Sequence, residues 1–106
     1  MRGDVLKNHV ELLVLTALKA EPGHGYSIIR AIRDRSGGEF ELLEGSLYPV
    51  LHRLERDGFV TSSWSQVAGR KRRVYKLSRK GRAALDAQER DWRRFARATN
   101  LVLSER

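Results

Sequence analysis

The chain has 106 residues, 41% of them hydrophobic, and 21 lysines and arginines against 13 aspartates and glutamates, so its formal net charge is +8. This length fits one domain, and the absence of cysteine excludes disulfides, zinc fingers, iron–sulfur clusters and a cysteine nucleophile. No apolar run approaches the roughly 20 residues of a membrane-spanning helix, and the charged N-terminus lacks a signal-peptide core, so we expect a cytoplasmic protein without a membrane partner.

The positive charge is concentrated in one part of the chain, which we call the basic segment. Residues 70–82 carry eight basic side chains and no acidic one, and the rest of the chain is balanced in charge. The eight are Arg70, Lys71, Arg72, Arg73, Lys76, Arg79, Lys80 and Arg82. Such a patch is typical of proteins that bind a polyanion, although it could equally be a solvated surface.

Apolar spacing predicts two helices in the first third of the chain. The first covers about residues 8–20 and ends at Glu21-Pro22-Gly23. The second runs from about residue 25 to residue 35 and ends at Ser36-Gly37-Gly38. Alternating apolar and acidic residues at 39–43 predict a brief strand.

A third helix is predicted from Ser46 to Asp57-Gly58. Ser46 is a suitable N-cap, which would place Pro49 in the first turn, where a missing N–H costs little. The predicted inner face consists of Leu47, Val50, Leu51 and Leu54. The side chains left to point outward or sideways are Tyr48, Pro49, His52, Arg53 and Arg56.

Two strands and a long helix are predicted to complete the chain. The strands cover about 59–65 and 72–77, and Gly69 lies in the connection between them. Ser78 is a suitable N-cap for a last helix that runs to about Leu103, roughly 37 Å at 1.5 Å per residue. This helix overhangs the preceding core, and its heptad-like stripe needs another surface to bury it. The stripe consists of Leu85, Trp92, Phe95, Ala96, Thr99, Val102 and Leu103.

This order of elements predicts a mostly α, α+β fold, the winged helix-turn-helix. It has a three-helix core, a two-stranded β wing and a long C-terminal helix. Residues 1–78 would form the DNA-binding part, and residues 79–106 the long C-terminal helix. In such folds the N-terminal side chains of the recognition helix approach base edges, and a wing reaches phosphates or the minor groove.

No pattern in the chain predicts catalysis or a cofactor. No nucleophile–base pairing, phosphate-cradling glycine loop or catalytic pair of carboxylates stands out in the sequence. His9, His24 and His52 are dispersed, and a metal site would need carboxylates and a fold that gathers them. We therefore expect no enzymatic activity, no metal and no cofactor.

Several separated motifs resemble the PadR family of transcriptional regulators. Residues 45–49, Gly-Ser-Leu-Tyr-Pro, followed by residues 51–55, Leu-His-Arg-Leu-Glu, resemble its recognition-helix signature. His24-Gly25-Tyr26 resembles the opening of its second helix. The wing and the start of the last helix are similar in these motifs: Asp57-Gly58-Phe59-Val60, Trp64, Arg72 to Leu77, and Lys80-Gly81. The resemblance covers about residues 10–95, and the single C-terminal helix is similar to the short PadR subfamily.

The resemblance implies a homodimeric repressor that binds an inverted-repeat operator in double-stranded DNA. The long last helix would dimerise together with the first helix. Some relatives release DNA when a small planar or aromatic effector enters a hydrophobic space near the dimer centre, and Trp92 matches the type of position involved. Trp92, Phe95 and Ala96 could also be plain dimer core, and both roles are compatible.

Nine residues are candidates for DNA binding. Tyr48 is the strongest candidate for a base contact, with a packing role as its alternative; Ser46 could cap the helix or touch a phosphate, and Arg53 could contact a guanine or a phosphate. The full set is Ser46, Tyr48, Pro49, His52, Arg53, Arg56, Arg70, Lys71 and Arg72. Two other functions fit the same pattern: a winged-helix module that binds an acidic protein surface, and a non-specific DNA-binding protein.

Overall fold

The computed structural model describes Leu6 and residues 9–104, with Val67 described by its backbone alone. The elements in chain order are α1 (Val10–Ala20), α2 (Gly25–Arg35), α3 (Glu44–Arg56), β1 (Val60–Val67), β2 (Arg70–Leu77) and α4 (Arg79–Leu103). This order confirms the predicted α+β winged helix, with three helices, a two-stranded wing and a long last helix.

The three shorter helices enclose one apolar core. Each contributes side chains at helical spacing, and α3 buries the predicted Leu47, Leu51 and Leu54, while Val50 is only half-buried. Burying each such leucine stabilises the fold by about 1.5–3 kcal/mol. The core also buries Val14 and Leu15 of α1 and further residues from the other elements, among them Ile28, Ile32, Val60, Tyr75 and Leu85.

The connection between α2 and α3 differs from the prediction. The helix ends at Ser36-Gly37-Gly38 as expected, with Gly37 and Gly38 at φ of 66° and 86°. Residues 39–43, however, form no strand pairing, so the predicted strand there is wrong. Gly23, which lies between α1 and α2, pairs with the wing instead. It exchanges two backbone hydrogen bonds with Tyr75, at 3.0 and 2.8 Å.

The third helix, α3, begins three residues earlier than an N-cap at Ser46 predicts. Leu43 is its N-cap and makes no side-chain capping hydrogen bond, so the prediction that Ser46 caps the helix is wrong. Pro49 accordingly lies in the second turn, not the first. Since proline has no N–H, the carbonyl of Gly45 loses its helical partner. The predicted end is confirmed: Asp57 is the C-cap, and Gly58 has a φ of 83°.

The wing is a tighter hairpin than predicted. Its two strands are antiparallel, and their register runs from Val60 opposite Leu77 to Val67 opposite Arg70. The turn is therefore only Ala68-Gly69, with φ of 53° and 78°, the two positive values that a two-residue type I′ turn requires. As a result Arg70 and Lys71 belong to β2 itself.

The long helix α4 starts on the core and then leaves it. The Ser78 hydroxyl accepts a hydrogen bond from the Gly81 N–H at 3.0 Å, which confirms the predicted N-cap. A Cβ at Gly81 would overlap the Phe59 carbonyl oxygen, so a glycine here lets the helix lie against the base of the wing. None of the described helices has an apolar stretch long enough to cross a membrane.

One residue of the predicted α4 stripe belongs elsewhere. Leu85 is 0% exposed within the single chain, so the prediction that another chain or a ligand covers it is wrong. It completes the core of the winged domain, because the first two turns of α4 still lie against that core. Beyond this point Phe95 and Val102 are 62% and 72% exposed.

Candidate nucleic-acid interface

A cleft between the start of α3 and the wing brings together residues from four elements; we call it the helix–wing cleft. It is lined by His24, Gly25, Tyr26, Tyr48, His52, Trp64, Arg70, Lys71, Arg72, Arg73 and Tyr75. Five of the nine candidate DNA-binding residues meet here, because the hairpin folds back toward the recognition helix. They are Tyr48, His52, Arg70, Lys71 and Arg72.

The Tyr48 ring lies on the first residue of α2. A Cβ at Gly25 would overlap the Tyr48 hydroxyl group, so the absence of a side chain at Gly25 makes room for the phenol. Tyr48 remains 36% exposed toward the cleft. Its ring therefore does pack, as the alternative interpretation held, and the packing fixes where the rest of the side chain meets solvent.

His24 connects the N-terminus of α2 to the wing. The Ser27 hydroxyl accepts from the His24 N–H at 3.0 Å, and the His24 Nε2 is 2.8 Å from Nη1 of Arg72. Ser27 N–H is 3.4 Å from the imidazole Nδ1. A neutral imidazole has one acceptor nitrogen, and the shorter contact assigns that role to Nε2, which accepts from the guanidinium.

The charge state of His24 follows from these neighbours. Burial lowers the pKa of His24 below its usual value, and the positive charges of Arg72 and Arg30 lower it further. The imidazole is therefore neutral at neutral pH and can accept the hydrogen bond from Arg72. Arg72, which we expected to be a free phosphate contact, is thus already oriented within the protein.

Arg73 holds the wing to the recognition helix. Its Nε donates to the Ser62 hydroxyl oxygen at 2.9 Å, and its Nη2 is 3.7 Å from the Glu55 carboxylate. Ser62 in turn donates to Glu55. The guanidinium also lies 5.2 Å from the centre of the Trp64 ring, a cation–π contact.

Lys80 is likewise used within the fold. Its Nζ donates to the Asp57 carbonyl at 2.8 Å, beyond the last turn of α3, and lies 5.1 Å from the centre of the Phe59 ring. A cation at this end of a helix stabilises the exposed carbonyl groups. Within the part of the chain that the structure describes, the basic-segment residues without an ion pair or side-chain hydrogen bond are Arg70, Lys71, Lys76, Arg79 and Arg82.

The other candidates on α3 lie outside the helix–wing cleft. Ser46, Pro49 and Arg53 line a groove on the opposite side of the helix, toward α1. Arg56 is at the end of the helix, where its Nε is 3.2 Å from the carboxylate of Asp57. The candidate set is therefore divided between two faces, and the tighter group is the one beside the wing.

Sequence reasoning did not select His24, Gly25 or Trp64 as site residues. All three nevertheless belong to motifs that the sequence shows, His24-Gly25-Tyr26 and the tryptophan of the first strand. The signal was therefore present, but their proximity to Tyr48 and Arg72 arises only when α2, α3 and the wing pack together.

The exposed part of α4 carries an apolar stripe. Trp92 is 42% exposed; its ring meets His9 edge-on at 5.4 Å and lies 6.0 Å from the ring of Phe95. Ala96 and Thr99 are half-buried on the same helix. Among the described residues, no three His, Asp or Glu side chains gather in a way that could hold a metal ion.

Known proteins share this sequence pattern and this fold. The sequence pattern of the Transcriptional regulator PadR-like family matches residues 14–87. The transcriptional regulator Rv3488 of Mycobacterium tuberculosis is 47% identical over 58 residues, which are 55% of this chain and 54% of that protein. A PadR family transcription regulator from Clostridium difficile has a solved structure with a TM-score of 0.77 and 30% identity, covering 91% of this chain and 99% of that one.

The fold is also seen in more distant proteins. A transcriptional regulator from Clostridium thermocellum has a TM-score of 0.84 at 23% identity, covering 94% of this chain and 95% of that one. The family match spans α3 and the whole wing, the elements that build the helix–wing cleft. This chain belongs to the PadR-like family of transcriptional regulators.

Proposed function

We propose that this regulator is a homodimeric, sequence-specific repressor that binds an inverted-repeat operator in the cytoplasm. The observation that carries the proposal is the helix–wing cleft, where Tyr48 and His52 of the recognition helix face the cations Arg70, Lys71 and Arg72. Aromatic and imidazole groups beside unpaired cations suit a surface that reads base edges while holding phosphates.

The two sides of the cleft would contact different parts of the DNA. Tyr48 lies near the N-terminus of α3, the part of a recognition helix that approaches base edges in the major groove. Arg70 and Lys71 lie beside the hairpin turn, where they can reach a phosphate without breaking an internal ion pair. With Arg72, a dimer would meet about six phosphates, which predicts a slope of log affinity against log salt near −5.

The dimer is supported by the exposed stripe of α4. Trp92, Phe95 and Val102 present apolar surface to solvent in the single chain. Contiguous exposed apolar surface on a small protein marks an interaction site. In our proposal the α4 helices of two subunits cover each other here, together with α1, and hold two recognition helices on one side of the operator.

We also propose that a small planar or aromatic effector binds at the α4 stripe. Trp92 and Phe95 offer adjacent ring faces on the α4 stripe, which could stack on such a ligand at the dimer centre. Binding would quench Trp92 fluorescence in a Trp64→Phe variant, where the second tryptophan no longer contributes. Fluorescence that no planar aromatic compound changes would remove the effector from the proposal.

The direct test is selection of bound sequences from random double-stranded DNA with the purified protein. We expect a palindromic motif whose half-sites are about one helical turn apart. Equal affinity for all sequences would instead indicate a non-specific DNA-binding protein. Absence of any DNA binding would favour a module that binds an acidic protein surface.

A further inference from the structure

One carboxylate of α1 contacts both the recognition helix α3 and the long helix α4. The Glu11 Oε1 of α1 is 3.4 Å from Nη2 of Arg53 on α3. The other oxygen, Oε2, accepts a hydrogen bond from Gln88 Nε2 of α4 at 2.6 Å. Both oxygens are therefore engaged, each by a different helix.

Arg53 is poorly placed to read bases. It lies in the last turn of α3, whereas the N-terminal residues of a recognition helix approach base edges. It also lines the groove toward α1, away from the helix–wing cleft where Tyr48 and the wing cations meet. Its guanidinium charge is already opposed by Glu11.

We propose that Glu11 and Gln88 orient the recognition helix through Arg53, which serves operator recognition as a positioning residue and does not contact DNA. This inference rests on the proposed function. A guanidinium–carboxylate pair is directional, and Gln88 limits the freedom of the carboxylate, so the three side chains set the angle of α3 relative to α1 and α4.

The same contact would couple a movement of α4 at its apolar stripe to the orientation of α3. Gln88 is one helical turn before Trp92, so the two residues lie on the same side of α4. Trp92 in turn touches His9, two residues before Glu11. A shift of α4 at Trp92 would therefore reach Glu11 both through Gln88 and through α1.

The experiment measures affinity for the selected operator and for random DNA, at several salt concentrations. The variants are Arg53→Gln, Glu11→Gln, their double variant, and the charge exchange Glu11→Arg/Arg53→Glu. We expect each single variant to lower the operator-to-random ratio by about 3- to 10-fold with an unchanged salt slope. The double variant should be no worse than either single one, and the charge exchange should recover most of the loss, because Gln88 can offer its amide oxygen to an arginine at position 11.

A matched control is the Glu89–Arg93 pair on α4, an exposed ion pair with a 3.0 Å contact and no partner on α3 among the described residues. Glu89→Gln should leave the operator-to-random ratio unchanged. The inference is overturned if Arg53→Gln lowers the salt slope by about one per subunit while Glu11→Gln tightens binding to all DNA. Those results would mean that Arg53 contacts phosphate and that Glu11 competes for it.

A second readout needs no DNA. In the nuclear magnetic resonance spectrum of the protein alone, Glu11→Gln and Gln88→Leu should each shift the Arg53 Nε–Hε resonance and the α3 amides, and Glu89→Gln should not. If neither Glu11→Gln nor Gln88→Leu shifts the Arg53 resonance, the inference is overturned whatever the result with DNA. Failure of the wild type to prefer any sequence would instead overturn the proposed function, so the two failures are distinguishable.

Discussion

Tyr48 and Gly25 show how two residues far apart in the chain depend on each other. The phenol can lie at the start of α2 only because Gly25 has no side chain. The glycine is thus needed for a close approach and not for an unusual backbone conformation, since its φ is not positive.

Gly25→Ala should destabilise the protein by about 1–3 kcal/mol, because the new methyl group forces the Tyr48 ring out of its place. In a Tyr48→Ala background the same substitution should cost much less. Gly45→Ala is the matched control: a Cβ there meets nothing within 4 Å, so it should raise stability by about 0.4–1 kcal/mol. Chemical denaturation measures all of these changes, and equal costs for Gly25→Ala in both backgrounds would contradict the account.

His24 predicts a pH dependence of stability. The folded protein lowers the pKa of His24 below the usual value of about 6.5, so the unfolded chain binds the proton more readily. The contribution of His24 is therefore fully present above about pH 6.5 and is lost as the pH falls through the lower folded pKa. Between about pH 7.5 and about pH 5, the wild type should lose more unfolding free energy than His24→Asn, because asparagine suits an N-cap position but does not titrate. Identical pH profiles would show that the imidazole is not held neutral.

At the scale of elements, local pattern predicted the helices well and their connections poorly. The range of α2 and the start of α4 followed from apolar spacing together with real end signals, such as Ser78 and Gly37. Ser46 misled because it has the chemistry of an N-cap, while the helix in fact begins at Glu44, whose charge suits a helix N-terminus. The ends of the hairpin strands were missed because Gln66, Arg70 and Lys71 are exposed and polar, so no apolar alternation marks them.

The site was only partly predictable for a related reason. The charges of the basic segment are visible in the sequence, but their partners are not local. Arg73 donates a hydrogen bond to Ser62 across the hairpin and forms an ion pair with Glu55 on α3. Arg72 contacts the imidazole of His24 at the start of α2. Only the packing of the elements distinguishes these engaged cations from Arg70 and Lys71, which have no ion pair or side-chain hydrogen bond with the described residues.

The hairpin turn carries a testable strain. Ala68 has a φ of 53°, a left-handed conformation that costs an L-residue about 1–2 kcal/mol. Ala68→Asn should therefore raise stability by about 0.5–1 kcal/mol, since Asn-Gly is the preferred pair in this turn. Ala68→Val should lower stability, because β-branched residues tolerate the left-handed region poorly. Thermal unfolding that ranked valine above asparagine would contradict the turn geometry.

At the scale of the whole molecule, the winged domain and the exposed half of α4 have different surfaces. The domain buries its apolar residues within one core, including Leu85, whereas the later part of α4 leaves Phe95 and Val102 in solvent. A single chain therefore buries the apolar residues of the winged domain but leaves those of the later part of α4 exposed. We propose that a second copy of the chain covers this exposed apolar surface.

Phe95→Glu should convert a dimer into a monomer without unfolding it, because the side chain is exposed in the single chain. Leu101→Glu is the matched control, since Leu101 is 71% exposed but lies about 100° around the helix from Val102, off the stripe. Analytical ultracentrifugation should find Leu101→Glu dimeric and Phe95→Glu monomeric. Dissociation by Leu101→Glu alone would place the interface on another face.

In the proposed function the helix–wing cleft binds DNA: the wing cations contact phosphates, and Tyr48 discriminates between sequences. The test measures affinity for the selected operator and for random DNA. The variants are Arg70→Gln/Lys71→Gln on the wing and Tyr48→Ala on α3. The charge-matched control is Arg90→Gln/Arg94→Gln, on the exposed face of α4. We expect the wing variant to weaken binding to both DNAs alike and to flatten the salt slope by about four per dimer. We expect Tyr48→Ala to weaken binding to the operator far more than binding to random DNA, and the α4 control to have neither effect. Equal losses for the wing and α4 variants, or equal losses on both DNAs for Tyr48→Ala, would show that the helix–wing cleft does not bind DNA in this way.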